Sequence, residues 1–402
     1  MREEFLWDIL KEETTQRQQR EQRMNDMTYK RKTALQQKRY RQKKIRLTLA
    51  AAAVLVLATG CVLFFTRNSW AKGFSAFAEK ESTEAPETAA VKVPRLVDAQ
   101  LTVSLMGDCT LGTDEAFNYD TSLNAYFATQ GADYFFQNVR PILEADDLSI
   151  VNMEGTLTES TERNWEKFAF KGSPDFVNIL SGSSVEAANI ANNHSHDYGD
   201  QSFEDTKATL KEAGITPFGY DDTAVVTVKG VKVGLVGIYE LNDHLERKQQ
   251  LKDNIAQVRR DGADLIIVVF HWGNERETVP DSNQMTLGHL AVDYGADLVV
   301  GHHPHVLQGI EEYRGRYIVY SLANFCFGGN SAPTDMDTMI FQQTFTLRNG
   351  EVLCDSNTKI IPCSVSSATG YNNYQPTPSE GSEAERILQK IEDLSSQIPA
   401  AP

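Results

Sequence analysis

ADLIIVVF, residues 263–270, runs into His271, and ADLVVG, residues 296–301, runs into His302, His303 and His305. Both runs are short, apolar and rich in β-branched residues, the composition of a strand covered on both faces. Between them Gln284–Tyr294 has helical spacing, so the pair reads as strand, helix, strand. Outward from this unit the same alternation extends back to Leu101 and over roughly 260 residues in all, which places the chain in the α/β class. Further strands are expected at LTVSLM (101–106), LSIVNM (148–153), VEAANIA (185–191), VKVGLVGIY (231–239) and YIVYSL (317–322). Helices are expected at Tyr134–Leu143, Phe203–Ala213 and His244–Arg260, and hairpins turn at Lys229-Gly230 and Arg314-Gly315. MIFQQTFTL (339–347) and KIIPCSV (359–365) need partners in the same sheets. Glu383–Leu394 has helical spacing that puts Ile387, Leu388, Ile391 and Leu394 on one face, a helix docked on the edge of the domain.

Composition limits what this domain can be. The 402 residues are 41% hydrophobic and 23% charged, enough to bury a core and too apolar for a disordered chain. The formal charge of −16 argues against nucleic acid as a partner. Five cysteines are too few for a disulfide-built scaffold, although Cys354 and Cys363 could bridge neighbouring strands in an oxidising space.

The charge is unevenly spread. Residues 1–46 hold 14 Lys/Arg and 7 Asp/Glu, a net of +7, which leaves 25 Lys/Arg and 48 Asp/Glu in the remainder, a net of −23. Residues 47–66, LTLAAAAVLVLATGCVLFFT, carry no charge and match the roughly 20 apolar residues a transmembrane helix needs. Nine Lys/Arg and no acid in residues 28–46 place the N-terminus in the cytoplasm by the positive-inside rule. A cleaved signal peptide would have a shorter basic segment and a shorter apolar one. The expected organisation is a basic cytoplasmic tail (1–46), a single membrane span (47–66), a flexible linker (67–99), an extracellular α/β domain (100–395) and a disordered C-terminus (396–402).

Ligands in α/β folds gather just past the carboxyl ends of strands. Five such ends carry suitable chemistry here: Asp108; Asn152 with Glu154; Asn192, Asn193 and His194; His271; and the group His302, His303 and His305. A single strand-end Asp or Asn is usually a turn or helix cap, and a single His usually a packed or surface residue. Five of the eight histidines on three strand ends is a different matter, because packing does not require it. Carboxylate, amide oxygen and imidazole together suit a divalent ion such as Mn, Fe or Zn, one or two of them. Glu154 is the candidate bridge between two ions, Asn193 offers its carbonyl oxygen, and His194 is left as proton donor to a leaving group.

Six blocks in series, GDCTLG (107–112), DLSIVNMEGTLT (147–158), ANNHSHDYG (191–199), HWGNE (271–275), GHHPHV (301–306) and YSLANF (320–325), resemble the CapA family of poly-gamma-glutamate capsule biosynthesis proteins. The resemblance implies a calcineurin-like metallophosphoesterase sandwich of two mixed β-sheets flanked by helices, preceded here by the one transmembrane helix. It implies metal-site roles for Asp108, Glu154, Asn193, His271, His302 and His305, with His194 as the acid and His303 as an alternative ligand. The chain departs from the phosphoesterase pattern at Thr110, where a second histidine is usual, and at Glu154, where an aspartate is usual. His196 reads as a surface residue, Asp197 as a cap for the helix after Gly199, Trp272 as a pocket wall, and Asn324 and Phe325 as lining the mouth or a turn. Lys167 and Lys171, beside Phe168 and Phe170, are candidate contacts for a polyanion. The implied function is biosynthesis, export or attachment of an anionic capsule polymer, by a metal-dependent hydrolase or transferase. The alternative is a non-catalytic assembly subunit of a membrane synthase. The expected partners are the membrane, the anionic polymer or its precursor, and membrane synthase subunits.

Overall fold

The computed structural model describes residues 98–354 and 357–399. The expected cytoplasmic tail, span and nearly all of the linker lie outside these residues. Among the described residues no helix is long and apolar enough to cross a membrane.

Two mixed sheets face each other. In the nine-stranded sheet the central strand Ala99–Thr110 lies parallel to Leu148–Met153, which is followed by Ala187–Asn189 and Thr216–Phe218, also parallel. On its other side it runs antiparallel to Asp337–Arg348, which pairs antiparallel with Thr358–Ser364. The two late apolar runs thus find partners in the larger sheet. The second sheet has six strands, with Val231–Tyr239, Leu265–His271, Leu298–His302 and Arg316–Val319 parallel at its centre. Hairpins close both edges at Lys229-Gly230 and Arg314-Gly315, where all four residues have positive φ (47° and 82°, 52° and 74°). Such angles suit the tight turns that join twisted antiparallel strands.

The double burial of these strands shows why their sequences are continuously apolar. Ile267 and Val269 point into the core between the sheets, against Leu101, Val103, Leu105 and Phe341. Their neighbours Ile266, Val268 and Phe270 point the other way, beneath the helices Lys248–Arg260 and Ser282–Asp293. Period-two alternation therefore serves two cores at once.

The first strand changes partner near its end. Residues 99–106 pair with Asp337–Arg348, but Asp108 stands opposite Asn324 of the short parallel strand Asn324–Phe327. Gly107 lies at the change, and a Cβ there would collide with the Ala323 carbonyl. This close approach brings Asn324 beside Asp108.

Several expected elements have different bounds. Tyr134–Leu143 is not one helix: a 3-10 turn at Ala132–Tyr134 precedes a single α-turn at Arg140–Leu143. Pro141, at the second position of that turn, is accepted at a helix start and not in an interior. The run 244–260 divides into the 3-10 turn His244–Arg247 and the helix Lys248–Arg260, with His244 (φ 43°) at its start. VEAANIA forms only the strand Ala187–Asn189. The helix expected at Phe203–Ala213 starts earlier, at Gly199, and the last helix extends over Gly381–Ser396 with Leu388 39% exposed, outside its buried stripe. Ser396 therefore closes a helix, and Ile398 packs against the second core, where a disordered end was expected. The domain also begins one residue early, with Ala99 already in a strand. Cys354 and Cys363 are both free, the first exposed and the second buried.

Candidate metal centre

Five strand ends converge on one buried spot, those of Ala99–Thr110, Leu148–Met153, Ala187–Asn189, Leu265–His271 and Leu298–His302. Register between Leu265–His271 and Leu298–His302 sets His271 directly beside His302, and register in the larger sheet sets Asp108 beside Asn152. Past the end of the strand 148–153, Glu154 is held by its own amide bonding to the Cys109 carbonyl. His303 and His305 have φ of 96° and 58°, values L-residues seldom adopt. This left-handed backbone abandons strand alternation, which is how His302, His303 and His305 all reach the same site.

The carboxylates and imidazoles interlock. Asp108 Oδ1 accepts from Asn152 Nδ2 (2.8 Å) and lies 3.2 Å from His302 Nδ1; Asp108 Oδ2 lies 3.3 Å from His305 Nδ1 and accepts from the His303 amide (3.2 Å). Glu154 Oε2 accepts from the Thr110 hydroxyl (3.2 Å), while Oε1 stands 3.7 Å from His271 Nε2 and 3.9 Å from His305 Nε2. Asn193 Oδ1 meets His271 Nε2 at 2.7 Å. Asp108, Glu154 and His271 are fully buried.

Burial and crowding move the titrations. Burial opposes the charge on Asp108, but the imidazoles of His302 and His305 outweigh it and hold the carboxyl well below its ordinary range. Glu154 is pushed up to about 7 by burial and by the Asp108 charge. Burial also opposes a charge on His305, yet Glu154 and Asp108 raise it to about 9. His303 falls to about 3 through burial and the neighbouring His305, and His271 is lowered well below its usual value by burial and His303.

The residues fit a divalent cation. Glu154, His271 and His303 can each present a ligand atom within 4.8 Å of the others, as can Asp108, Glu154 and His305, so Glu154 is common to both groups. Glu154 Oε1 and His303 Nδ1 are buried without a hydrogen-bond partner, whereas His302 Nδ1 has the Asp108 carboxylate 3.2 Å away. Each unmade bond of this kind costs about 1–3 kcal/mol. A cation would satisfy such orphaned lone pairs, and the mixture of oxygen and nitrogen donors suits Mn, Fe or Zn.

His194 stands at the rim, its side chain 13% exposed. Its ring packs 4.6 Å from that of Phe170, and Nδ1 meets Asp197 Oδ2 at 2.8 Å. Asp197 is not the expected helix cap: no side chain caps the helix after Tyr198, and Asp197 instead accepts from His194 and from the Phe170 amide (2.6 Å). Burial works against a charge on His194, but Asp197 prevails and raises its pKa. Trp272 is likewise no pocket wall. It is fully buried, stacked on Phe270, and its Nε1 donates to the Tyr320 carbonyl. His196 is the partly exposed residue expected, stacked on Phe203, and Phe325 belongs to the core. Lys171 is occupied internally, donating to the Ser160 carbonyl at 2.8 Å, and Lys167 lies over the Phe168 ring.

The structure thus gathers Asp108, Glu154, Asn193, His271, His302 and His305, with His303 among them. The sequence places Asn152 at a strand end and Asn324 at the mouth or in a turn, without naming their partners. Asn152 joins Asp108, His271 (3.3 Å) and Asn189 (2.8 Å), and Asn324 Oδ1 meets His305 Nδ1 at 2.8 Å. Their only sequence signal is their place within the blocks NMEG and YSLANF.

Residues 102–329 match the family model described as bacterial capsule synthesis protein PGA_cap. The capsule biosynthesis protein CapA of Bacillus anthracis is 28% identical over 292 residues, 66% of this chain and 68% of that protein. The PGA biosynthesis protein CapA of Bacillus subtilis is 29% identical over 257 residues, 59% of this chain and 66% of that protein. The chain therefore spans about two thirds of the length of each of these relatives. Among solved structures, a 5'-nucleotidase from Candida albicans aligns with 75% of this chain and 59% of its own, at 10% identity and a TM-score of 0.39.

Proposed function

The chain belongs to the bacterial capsule synthesis protein PGA_cap family, and from that premise we propose that it works in making a capsular polymer of the poly-gamma-glutamate kind through a divalent-cation site. Asp108, Glu154, Asn193, His271 and His305 hold the cation, with His302 or His303 completing the set. One observation carries this reading: side chains from five strand ends converge with Glu154 Oε1 and His303 Nδ1 buried and without a hydrogen-bond partner.

A divalent cation bound there would supply Lewis acidity toward a phosphoester or glutamyl amide oxygen. The residues around it provide the rest. Asp197 takes the Nδ1 side of His194, which leaves Nε2 to carry a proton toward a leaving group. Phe170 packs its ring 4.6 Å from the same imidazole and helps hold it in place. The activity is that of a hydrolase or transferase of the metallophosphoesterase kind.

The second reading is a non-catalytic assembly subunit. It is favoured by Thr110, whose hydroxyl bonds Glu154 where a second imidazole would add a ligand. In either case the reading includes a membrane anchor at 47–66, an N-terminus in the cytoplasm and an extracellular domain. Membrane synthase subunits and the anionic polymer or its precursor are the partners. The uncharged run and the nine Lys/Arg before it support that placement.

Element analysis of the purified full chain, together with polymer production in cells, separates these readings. The catalytic reading expects a bound divalent ion, lost in His271→Ala, and no polymer from either His271→Ala or His194→Ala. Polymer at native levels from His194→Ala would leave only the assembly role. A native chain without bound ion would remove the metal reading.

A further inference from the structure

Asn324 is tied to His305 twice. Its Oδ1 lies 2.8 Å from His305 Nδ1, and its Nδ2 donates to the His305 carbonyl at 3.4 Å. The second contact fixes the first. An amide turned end for end would set its oxygen against that carbonyl and its NH2 against the ring nitrogen, losing one bond and creating a repulsion. With Oδ1 facing the ring, Nδ1 must carry the proton. That leaves His305 Nε2 to face Glu154 Oε1, 3.9 Å away, an oxygen with no hydrogen-bond partner.

The backbone is built to make this pair. Ala323 (φ 62°) and His305 (φ 58°) both adopt left-handed conformations. Register sets Asn324 opposite Asp108, and the close approach at Gly107 permits it. His305 Nδ1 also has Asp108 Oδ2 at 3.3 Å, an acceptor too, so both neighbours favour a proton on that nitrogen. His271 differs: its Nδ1 faces the amide nitrogen of Asn152 at 3.3 Å, a group committed to Asp108, so no acceptor amide fixes a proton there.

Resting on the cation reading given above, we propose that Asn324 is a positioning residue, which sets the tautomer of His305 so that Nε2 is the ligating atom. Outer-sphere partners of a ligating histidine change metal affinity by roughly 10–100-fold when removed.

The test uses the full chain, stripped with chelator and titrated with Co2+, read by its visible absorption and by the dissociation constant. Asn324→Ala is expected to weaken Co2+ binding about 10–100-fold, while the chain still folds in chelator. Asn324→Asp keeps the acceptor oxygen, and it is expected to bind as tightly as the native chain or more so, with the native spectrum. Native affinity in Asn324→Ala, or an equal loss in Asn324→Asp, would overturn the proposal. Should Asn324→Ala fail to fold, Asn324→Asp decides in the same way. A native chain that binds no Co2+ would instead sink the cation reading, and the role of Asn324 with it.

Discussion

Asp197 Oδ2 accepts from His194 Nδ1 and from the Phe170 amide, and the residue is 1% exposed. It joins the rim histidine to the segment that packs over it, since Asn164 also donates its amide to the Asp197 carbonyl at 2.7 Å. Asp197→Ala leaves a buried amide and an imidazole unpaired and should cost about 2–3 kcal/mol, read from urea unfolding. A loss near 1 kcal/mol or less, the worth of an ordinary helix cap, would contradict that account. The six candidate ligands could be picked out before any coordinates because each closes an apolar run, and a strand end is visible in sequence. Roles fixed by contacts between distant residues could not. Thr110 to Glu154 spans 44 residues and Asn152 to His271 spans 119. No spacing encodes such pairs. His303 was hard to assign for a different reason: strand alternation turns neighbouring side chains to opposite faces, and only the positive φ at His303 and His305 suspends it.

The helix Gly381–Ser396 crosses from the strand Thr358–Ser364 of one sheet to the edge strand Ile310–Tyr313 of the other. Ile387, Ile391 and Leu394 enter the core between the sheets, and Ser395 Oγ accepts from the Ile310 amide at 2.9 Å. Its charged side is tied down by Arg386 (2.6 and 2.9 Å) and Lys390 (2.8 Å) on the Asp337 carboxylate. Burial would raise the Asp337 pKa, but these two cations outweigh it and the net shift is downward from 3.8. A depressed carboxylate stabilises the fold fully above its unfolded value, and that contribution is lost as the pH falls through the folded one. Unfolding free energy should thus decline on acidification below about pH 4, and Asp337→Asn should remove that part of the decline. At neutral pH the substitution should cost about 1–3 kcal/mol, partial exposure of Arg386 and Lys390 placing it in the lower half. An identical acid limb in both proteins would rule this ion network out as a clamp. The helix itself was plain from its apolar period. The failure of Tyr134–Leu143 as a single helix was not, because apolar spacing there reflects successive turns packed on one core, with Phe135, Phe136, Val139 and Leu143 all buried.

Over the whole molecule, acidity and site placement have to be considered together. Beyond residue 46 the chain carries a net −23, yet the site holds only two carboxylates, Asp108 and Glu154, beside four imidazoles. A polyanion would be repelled by the surface at large and attracted only where a cation offsets those carboxylates. The fold class could be read from the alternation of apolar runs because both sheets are covered on their faces, and such strands have no polar side to obscure them. The pairing of Asp337–Arg348 with the first strand joins residues some 240 apart, and no local pattern announces it. Everything functional depends on whether the buried cluster takes up a cation. Anomalous diffraction from crystals of the full chain grown with Zn2+ measures this directly. The account predicts a peak about 2.0–2.2 Å from Glu154 and from at least one of His271, His303 and His305. Native crystals with no peak among these residues, or with zinc only on surface histidines such as His196 and His244, would contradict it.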